Sequence, residues 1–491
     1  GLEMTPAGIQ DSVLLRADRL GPDARASLDL VSIFPAQVEA SLVLELIGAE
    51  AAYPVRQCVE AGLLVEAGAY LRFRHEVARR VVERSLGHGH RRDLNRHVLG
   101  SLRARDDIPV ANLVHHAREA EDFELLRTMA PAAAESASRI GAHREAASIL
   151  AAALDSPGSE PLPNRAHLLV RLAIELHLMG RIADAMGRLS EALRLFEAAG
   201  DHVGAGNGLR WMSRLSYLAG DRVAAERHGV AALARLQGER DSPELAMAHS
   251  NLSQLAMLAD DVEPALEHGR TAADLARRLD RPDILSHALN NMGAARQWTD
   301  DAAARRDLAE SLDLARRHDL QEHAARAYTN LACMLIHRRQ HDQACHLLEE
   351  GISYCMDRDL DTWRDYMRSW QAEVLLRIGH WDEAAAIAQR VLGNPEATPL
   401  ARFPACVTLA RLRARRGDPA GDLVSEIEDY LVTGKELQRL APYAVLQAER
   451  AWMTGDGTDE AIMLLQEALA LMPNTSIYQD VPLWLSLLSD R

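Results

Sequence analysis

The chain has 491 residues, of which 48% are apolar and only 4% aromatic, and its formal net charge is −16. A composition led by Ala and Leu favours packed helices over sheets, and the negative balance excludes a chain that coats nucleic acid along its length. No run approaches the ~18 apolar residues of a membrane-spanning helix and no secretory signal pattern is present, so a cytoplasmic protein without membrane contact is expected. Five scattered cysteines (Cys58, Cys333, Cys345, Cys355, Cys406), with no CxxC among them, fit a reducing compartment better than a disulfide framework.

Residues 1–16 read as a linker remnant. Over residues 17–105, apolar periodicity predicts short helices at Ala24–Phe34, Gln37–Ile47 and Glu50–Ala61, with Pro54 in the first turns of the third or kinking it. The stretch Gly62-Leu63-Leu64-Val65-Glu66-Ala67-Gly68-Ala69-Tyr70-Leu71-Arg72-Phe73 reads as strand, glycine turn, strand, and a helix over Glu76–Ser85 follows. Three helices and a β-wing predict a winged-helix domain. Its third helix carries Arg56 as the only cation beside Glu50 and Glu60, which is poor for a DNA groove, so no direct nucleic-acid contact is expected. From Arg72 to Arg105, ten arginines oppose Glu76, Glu83 and Asp93. A phosphate or acidic partner is electrostatically favoured there, the alternative being solvated helix faces. Arg79 and Arg80 read as exposed, and His88, His90, His115 and His116 as loop and helix histidines.

After a helical link over 106–140, residues 141–491 repeat. An acid-flanked alanine recurs at Ala146, Ala185, Ala225, Ala265, Ala304, Ala344, Ala384 and Ala461, at intervals of 39 or 40 residues apart from a final doubled one whose missing member falls near Asp422. Small residues ride seven positions later (Ala153, Ala192, Ala232, Ala272, Ser311, Gly351, Ala468) and about twelve earlier (Ala134, Ala173, Ser213, Ser253, Gly293, Ala332, Ala372, Ala410). Gly180, Gly220, Gly379, Gly417 and Gly455 mark turns inside pairs. This triple spacing resembles the tetratricopeptide motif, although the period is longer than the usual 34 residues. The expected fold is all-α: a right-handed tetratricopeptide-type superhelix of about nine helix pairs after the small winged-helix domain. Such a stack offers a concave groove.

Within the repeats, Trp363, Tyr366 and Trp370 follow i, i+3, i+7 on one helix and form a candidate effector shelf, with ordinary inter-repeat packing as the alternative. Tyr366 falls where the motif faces the groove. Asn251, Asn291 and Asn330 recur at nearly equivalent places, either bridging helices or clamping a peptide backbone. His337, His341 and Cys345 have metal-ligand spacing, but the repeat puts a turn at Arg339–Gln340 that breaks the face, so no metal site is expected. The single lysine, Lys435, stands in Thr433-Gly434-Lys435-Glu436 with Asp429 where a phosphate loop needs glycine, so the chain holds no P-loop. No catalytic set stands out, and the chain is expected to bind and not to catalyse.

The strings Val59-Glu60-Ala61-Gly62-Leu63-Leu64 and Tyr70-Leu71-Arg72-Phe73-Arg74-His75-Glu76-Val77-Ala78-Arg79 resemble the winged-helix segment of STAND-type ATPases, and among them the MalT-like, large LuxR-type transcription regulators. The resemblance implies a sensor half: a winged helix that closes the nucleotide site of a separate ATPase domain, and repeats that receive a small-molecule or peptide effector. It implies ATP or ADP as the cofactor of the parent protein and none in this chain, with the ATPase domain and self-association as partners. His75, with Arg74, is similar in place to the Met-His-Asp histidine that touches the ADP β-phosphate, but both flanking residues differ. A stand-alone tetratricopeptide scaffold, or the sensor half of a nucleotide cyclase, are the alternatives.

Overall fold

A computed structural model describes residues 7–105, 108–157, 164–239, 241–297, 299–432, 436–472 and 478–490. Thr433, Gly434 and Lys435, weighed above as a phosphate loop, lie outside the described residues. The chain divides into two compact units, one of residues 1–135 with 151–162 and one of 136–150 with 163–491.

In the first unit α1 (Ala7–Ala17) and α2 (Pro22–Ser32) precede β1 (Val38–Glu39), α3 (Ala40–Ile47), a 3₁₀ turn (Ala49–Ala51) and α4 (Ala52–Glu60). The hairpin β2 (Leu64–Ala67) and β3 (Tyr70–Phe73), then α5 (Glu76–Ser85), α6 (His88–Leu102) and α7 (Val110–Glu119), complete it. Residues 7–16, read above as linker, belong to a helix over Ala7–Ala17 that buries Val13 and Ala17 in the core of this unit. The hairpin forms as expected, turning at Gly68 with φ +65°. The expected helix over Gln37–Ile47 starts only at Ala40, because Val38 and Glu39 pair with Leu71 and Tyr70 as a third strand, giving the antiparallel order β1-β3-β2. Two residues are too few for any period to declare a strand. Pro54 falls in the first turn of α4, where its missing N–H costs nothing. His88 and His90, read as loop residues, open α6 behind Gly87.

The helix pair α8 (Phe123–Arg139) and α9 (His143–Asp155) has its tip in the second unit. Eight further pairs follow there: α10 (Arg165–Leu178) with α11 (Ile182–Ala199), α12 (His202–Leu218) with α13 (Arg222–Leu236), and α14 (Pro243–Leu258) with α15 (Val262–Arg278). Next come α16 (Pro282–Arg296) with α17 (Asp301–Arg317), α18 (Gln321–His337) with α19 (His341–Met356), and α20 (Asp361–Arg377) with α21 (Trp381–Leu392). The last are α22 (Pro399–Arg416) with α23 (Gly421–Val432) and α24 (Leu437–Thr454) with α25 (Thr458–Leu471), before the terminal α26 (Asp480–Ser489).

The tetratricopeptide spacing works as close packing. Ala185, Ala225, Ala265, Ala304, Ala344 and Ala384 are all 0% exposed, so backbones meet where these side chains sit. Where the earlier small residue is serine, its hydroxyl donates across the pair: Ser213 Oγ to the Ala225 carbonyl and Ser253 Oγ to that of Ala265, both at 2.7 Å. The predicted glycines take positive φ at the turns, and where glycine is missing Asp260 and Arg339 take the left-handed conformation instead.

The stack winds onto itself. His143 meets Gln321 at 3.0 Å, Thr362 Oγ1 donates to the His177 carbonyl at 2.6 Å, and Arg222 faces Glu436 at 3.7 Å. The first two of these contacts join helix pairs five steps apart and the third joins pairs six steps apart, which turns a concave groove into a lumen.

Candidate functional site

The lumen is lined by the first helix of successive pairs, from α12 to α24. It has two lobes, a wide one of about 190 Å³ and a narrow one of about 50 Å³, that share Tyr217, Met257, Leu258, Asn330, Tyr366 and Leu400. Tyr366 and Trp370 face the wide lobe and Trp363 the narrow one. Ring contacts run Trp363–Tyr366 (6.4 Å between centroids), Tyr366–Trp370 (6.1 Å) and Trp370–His337 (5.8 Å), a continuous aromatic wall. Burial holds the His337 imidazole down at about 3, so it serves this wall as a neutral ring. The turn expected after it is present: α18 ends at His337 and α19 starts at His341. Among the described residues no cluster of three metal-ligating side chains forms.

The three asparagines part company. Asn251 Nδ2 donates to Ser213 Oγ at 2.9 Å and Asn291 Nδ2 to the Ser250 carbonyl at 2.8 Å, each tying one first helix to the previous one. Asn251 also borders the narrow lobe, while Asn330, bonded to Asn290, borders both lobes.

Charged groups in the lumen escaped the sequence reading. Arg411 donates to Glu449 (2.5 Å) and Glu373 (3.3 Å), Arg377 to Glu373 (2.8 Å) and Arg415 to Glu449 (2.9 Å). Burial pushes both carboxyls up, but the arginines outweigh it and hold them below the usual range. Farther along, Arg214 pairs with Glu322, and Arg326 donates to Asn291 at 2.8 Å. The signal was available: Arg214, Gln254, Ala294, Cys333, Glu373 and Arg411 each directly follow the small residue of their first helix, and all six line the lumen.

Glu436, 4% exposed, borders the wide lobe with neither carboxylate oxygen hydrogen-bonded among the described residues. Burial raises its pKa, and burial together with Glu436 raises that of Asp260 to about 7, against the opposing pull of Arg222. A carboxyl with a raised folded-state pKa contributes stability in acid that is lost as pH rises through that value. Asp260→Asn is therefore expected to match the native chain near pH 4 and to exceed it by about 4 kcal/mol at pH 8. Thermal unfolding at the two pH values checks this, and equal effects at both would refute it. Asparagine also tolerates the φ of +57° at this position.

In the first unit, Arg74 and His75 are exposed between β3 and α5. His75 occupies the N-cap position in extended conformation, and its side chain makes no cap hydrogen bond. Arg79, expected to be exposed, is 7% exposed and binds Glu76, Glu83 and the Ser32 carbonyl. Much of the basic island is neutralised in the same way, by Arg80–Glu76, Arg91–Glu119, Arg92–Glu121, Arg96–Asp93, Arg103–Asp122 and Arg105–Glu39.

No family model and no curated protein matches the sequence. Among solved structures, the chain is similar to a STAND protein with a tetratricopeptide repeat sensor from Pyrococcus horikoshii (15% identity, 88% of this chain and 66% of that one, TM-score 0.39). It is also similar to a Rap protein complexed with competence and sporulation factor (13%, 77% and 93%, 0.46) and to yeast Tom70 (14%, 82% and 95%, 0.36). The chain thus spans just under two thirds of the Pyrococcus horikoshii chain. At these identities the likeness concerns the helical-repeat fold alone. Among the described residues no helix is long and apolar enough to cross a membrane.

Proposed function

We propose that this chain is the sensor part of a STAND-type regulator of the MalT-like, LuxR-type kind, with the effector held in the lumen of the repeats. The observation that carries this reading is the aromatic-walled cavity inside the stack, a shape suited to enclosing a small molecule or a short peptide and not to docking a flat protein face. The hairpin strings around Gly62–Leu64 and Phe73–Glu76 support a winged helix that meets the ATPase domain. The exposure of Arg74 and His75 leaves both available to a nucleotide phosphate there. An effector that binds one arrangement of the repeats better than another would shift the parent protein between ADP-held and ATP-bound states.

Thermal-shift screening of the full chain with metabolite and short-peptide libraries tests the proposal. A stabilising compound is expected, and Tyr366→Phe and Trp370→Phe, which keep a ring in place, are expected to weaken it several-fold, in line with the ~0.5–1.5 kcal/mol of one aromatic contact. Binders indifferent to both substitutions would instead favour a scaffold that docks partners on its outer face.

A further inference from the structure

We infer that the narrow lobe is an oxyanion pocket, and that the effector carries a carboxylate or phosphate group held by Arg326 and Arg214. This rests on the effector-cavity reading above and specifies the chemistry of its ligand. The first observation is an imbalance of charge. Three guanidiniums, Arg210 (8% exposed), Arg214 (5%) and Arg326 (3%), are gathered around one carboxylate, Glu322, which Arg214 and His177 already engage. Glu244 and Asp283 act on Arg210 more weakly than Glu322 does, and Asp283 is committed to Arg281 at 2.5 Å. His287 and His323 lie in the same cluster, and burial holds both below their ordinary range, so they neither add to the charge nor cancel it. Burial lowers the pKa of Arg210 and of Arg326 to about 9, with the repulsion of Arg214 adding to it in each case.

The second observation is unfilled donors that border the lobe. Among the described residues, Arg326 Nη1 and Trp363 Nε1 have no hydrogen-bond partner, although Arg326 Nη2 is spent on Asn291 and Trp363 is 5% exposed. Both residues line the narrow lobe beside Arg214, whose guanidinium carbon sits 6.0 Å from the Trp363 ring. Water in the lobe can satisfy donors, but it cannot neutralise charge, and an unpaired ion at this depth is costly. An oxyanion does both, because its oxygens accept from the guanidinium and the indole together. The adjoining wide lobe, with its wall of Tyr366 and Trp370, takes the apolar body of the same ligand.

The test follows thermal unfolding of the full chain with sodium phosphate and with sodium propionate, each against sodium chloride at equal ionic strength. At least one anion is expected to raise the midpoint saturably, by about 3 °C at millimolar concentration, and the more effective one identifies the head group. Arg326→Met is expected to abolish the response while its own midpoint stays at or above the native one, since an unneutralised buried cation has gone. Glu322→Gln, which adds to the excess charge, is expected to enlarge the response, and this arm decides the matter if Arg326→Met does not fold. No saturable response in the native chain overturns the inference, as does a response that Arg326→Met retains. Compounds that still bind in a manner dependent on Tyr366 and Trp370 would then leave the cavity reading standing with a neutral ligand.

Discussion

Arg411→Met is expected to destabilise the second unit by about 3–5 kcal/mol at neutral pH, the usual consequence of stripping one partner from a buried ion network. The methionine fills much of the same space, so packing alone predicts less than about 1.5 kcal/mol. The remainder comes from Glu373 and Glu449, 8% and 4% exposed, which among the described residues keep only Arg377 and Arg415 with Thr408. In the native chain both carboxyls have lowered pKa values, so their contribution is present above the unfolded carboxylate range and is lost as pH falls through the folded value. In the variant the uncompensated carboxyls instead oppose folding as pH rises. The gap between native and variant is therefore widest at pH 7–8 and narrows towards pH 4. Denaturant unfolding at both pH values measures it, and Glu373→Gln added to Arg411→Met is expected to recover part of the loss at pH 7.5. A gap of under about 1.5 kcal/mol that does not change with pH would mean that the two glutamates are solvated in the folded chain.

This network also shows where a sequence stops being legible. The helix pairs were readable because each repeat carries its own small residues at fixed local offsets, and Ala304 or Ala344 declares itself within one period. The ion partners are not local: Arg411 reaches Glu449 across 38 positions and Arg214 reaches Glu322 across 108, so no window holds both ends. What the repeat register does supply is direction. From α12 to α22 the residue after the small position of each first helix faces the lumen, and that register alone singles out Arg214, Glu373 and Arg411. Tyr366 obeys the same register and lines both lobes. In the first unit the hairpin was announced by its glycines, whereas β1 had no period to show and Arg79 went inside because Glu76 and Glu83 lie one turn to either side of it on α5.

The closure of the lumen rests on a contact that one methyl group tests. Gly180 takes φ +86° in the turn between α10 and α11, and a Cβ built there falls 2.6 Å from the carbonyl oxygen of Glu396, in the link before α22. Gly379 takes φ +90° in the equivalent turn between α20 and α21, with nothing within 4 Å of its Cβ position. Alanine at either site incurs the left-handed penalty of about 1–2 kcal/mol. At position 180 it must also push a backbone carbonyl away, since no flexible side chain is there to yield. Gly180→Ala is therefore expected to cost about 2 kcal/mol more than Gly379→Ala. Hydrogen exchange adds a reading that stability alone does not give. Gly180→Ala should speed exchange at the start of α22, where Ala401 and Arg402 amides bond to the Thr398 carbonyl, while Gly379→Ala leaves those amides protected. Because Leu400 and Phe403 on this helix wall the wide lobe, the same substitution is expected to weaken effector binding without touching a ligand contact. Equal costs for the two alanines, with unchanged exchange at α22, would mean that the repeats in solution stand open, and that the site is a groove with one side missing.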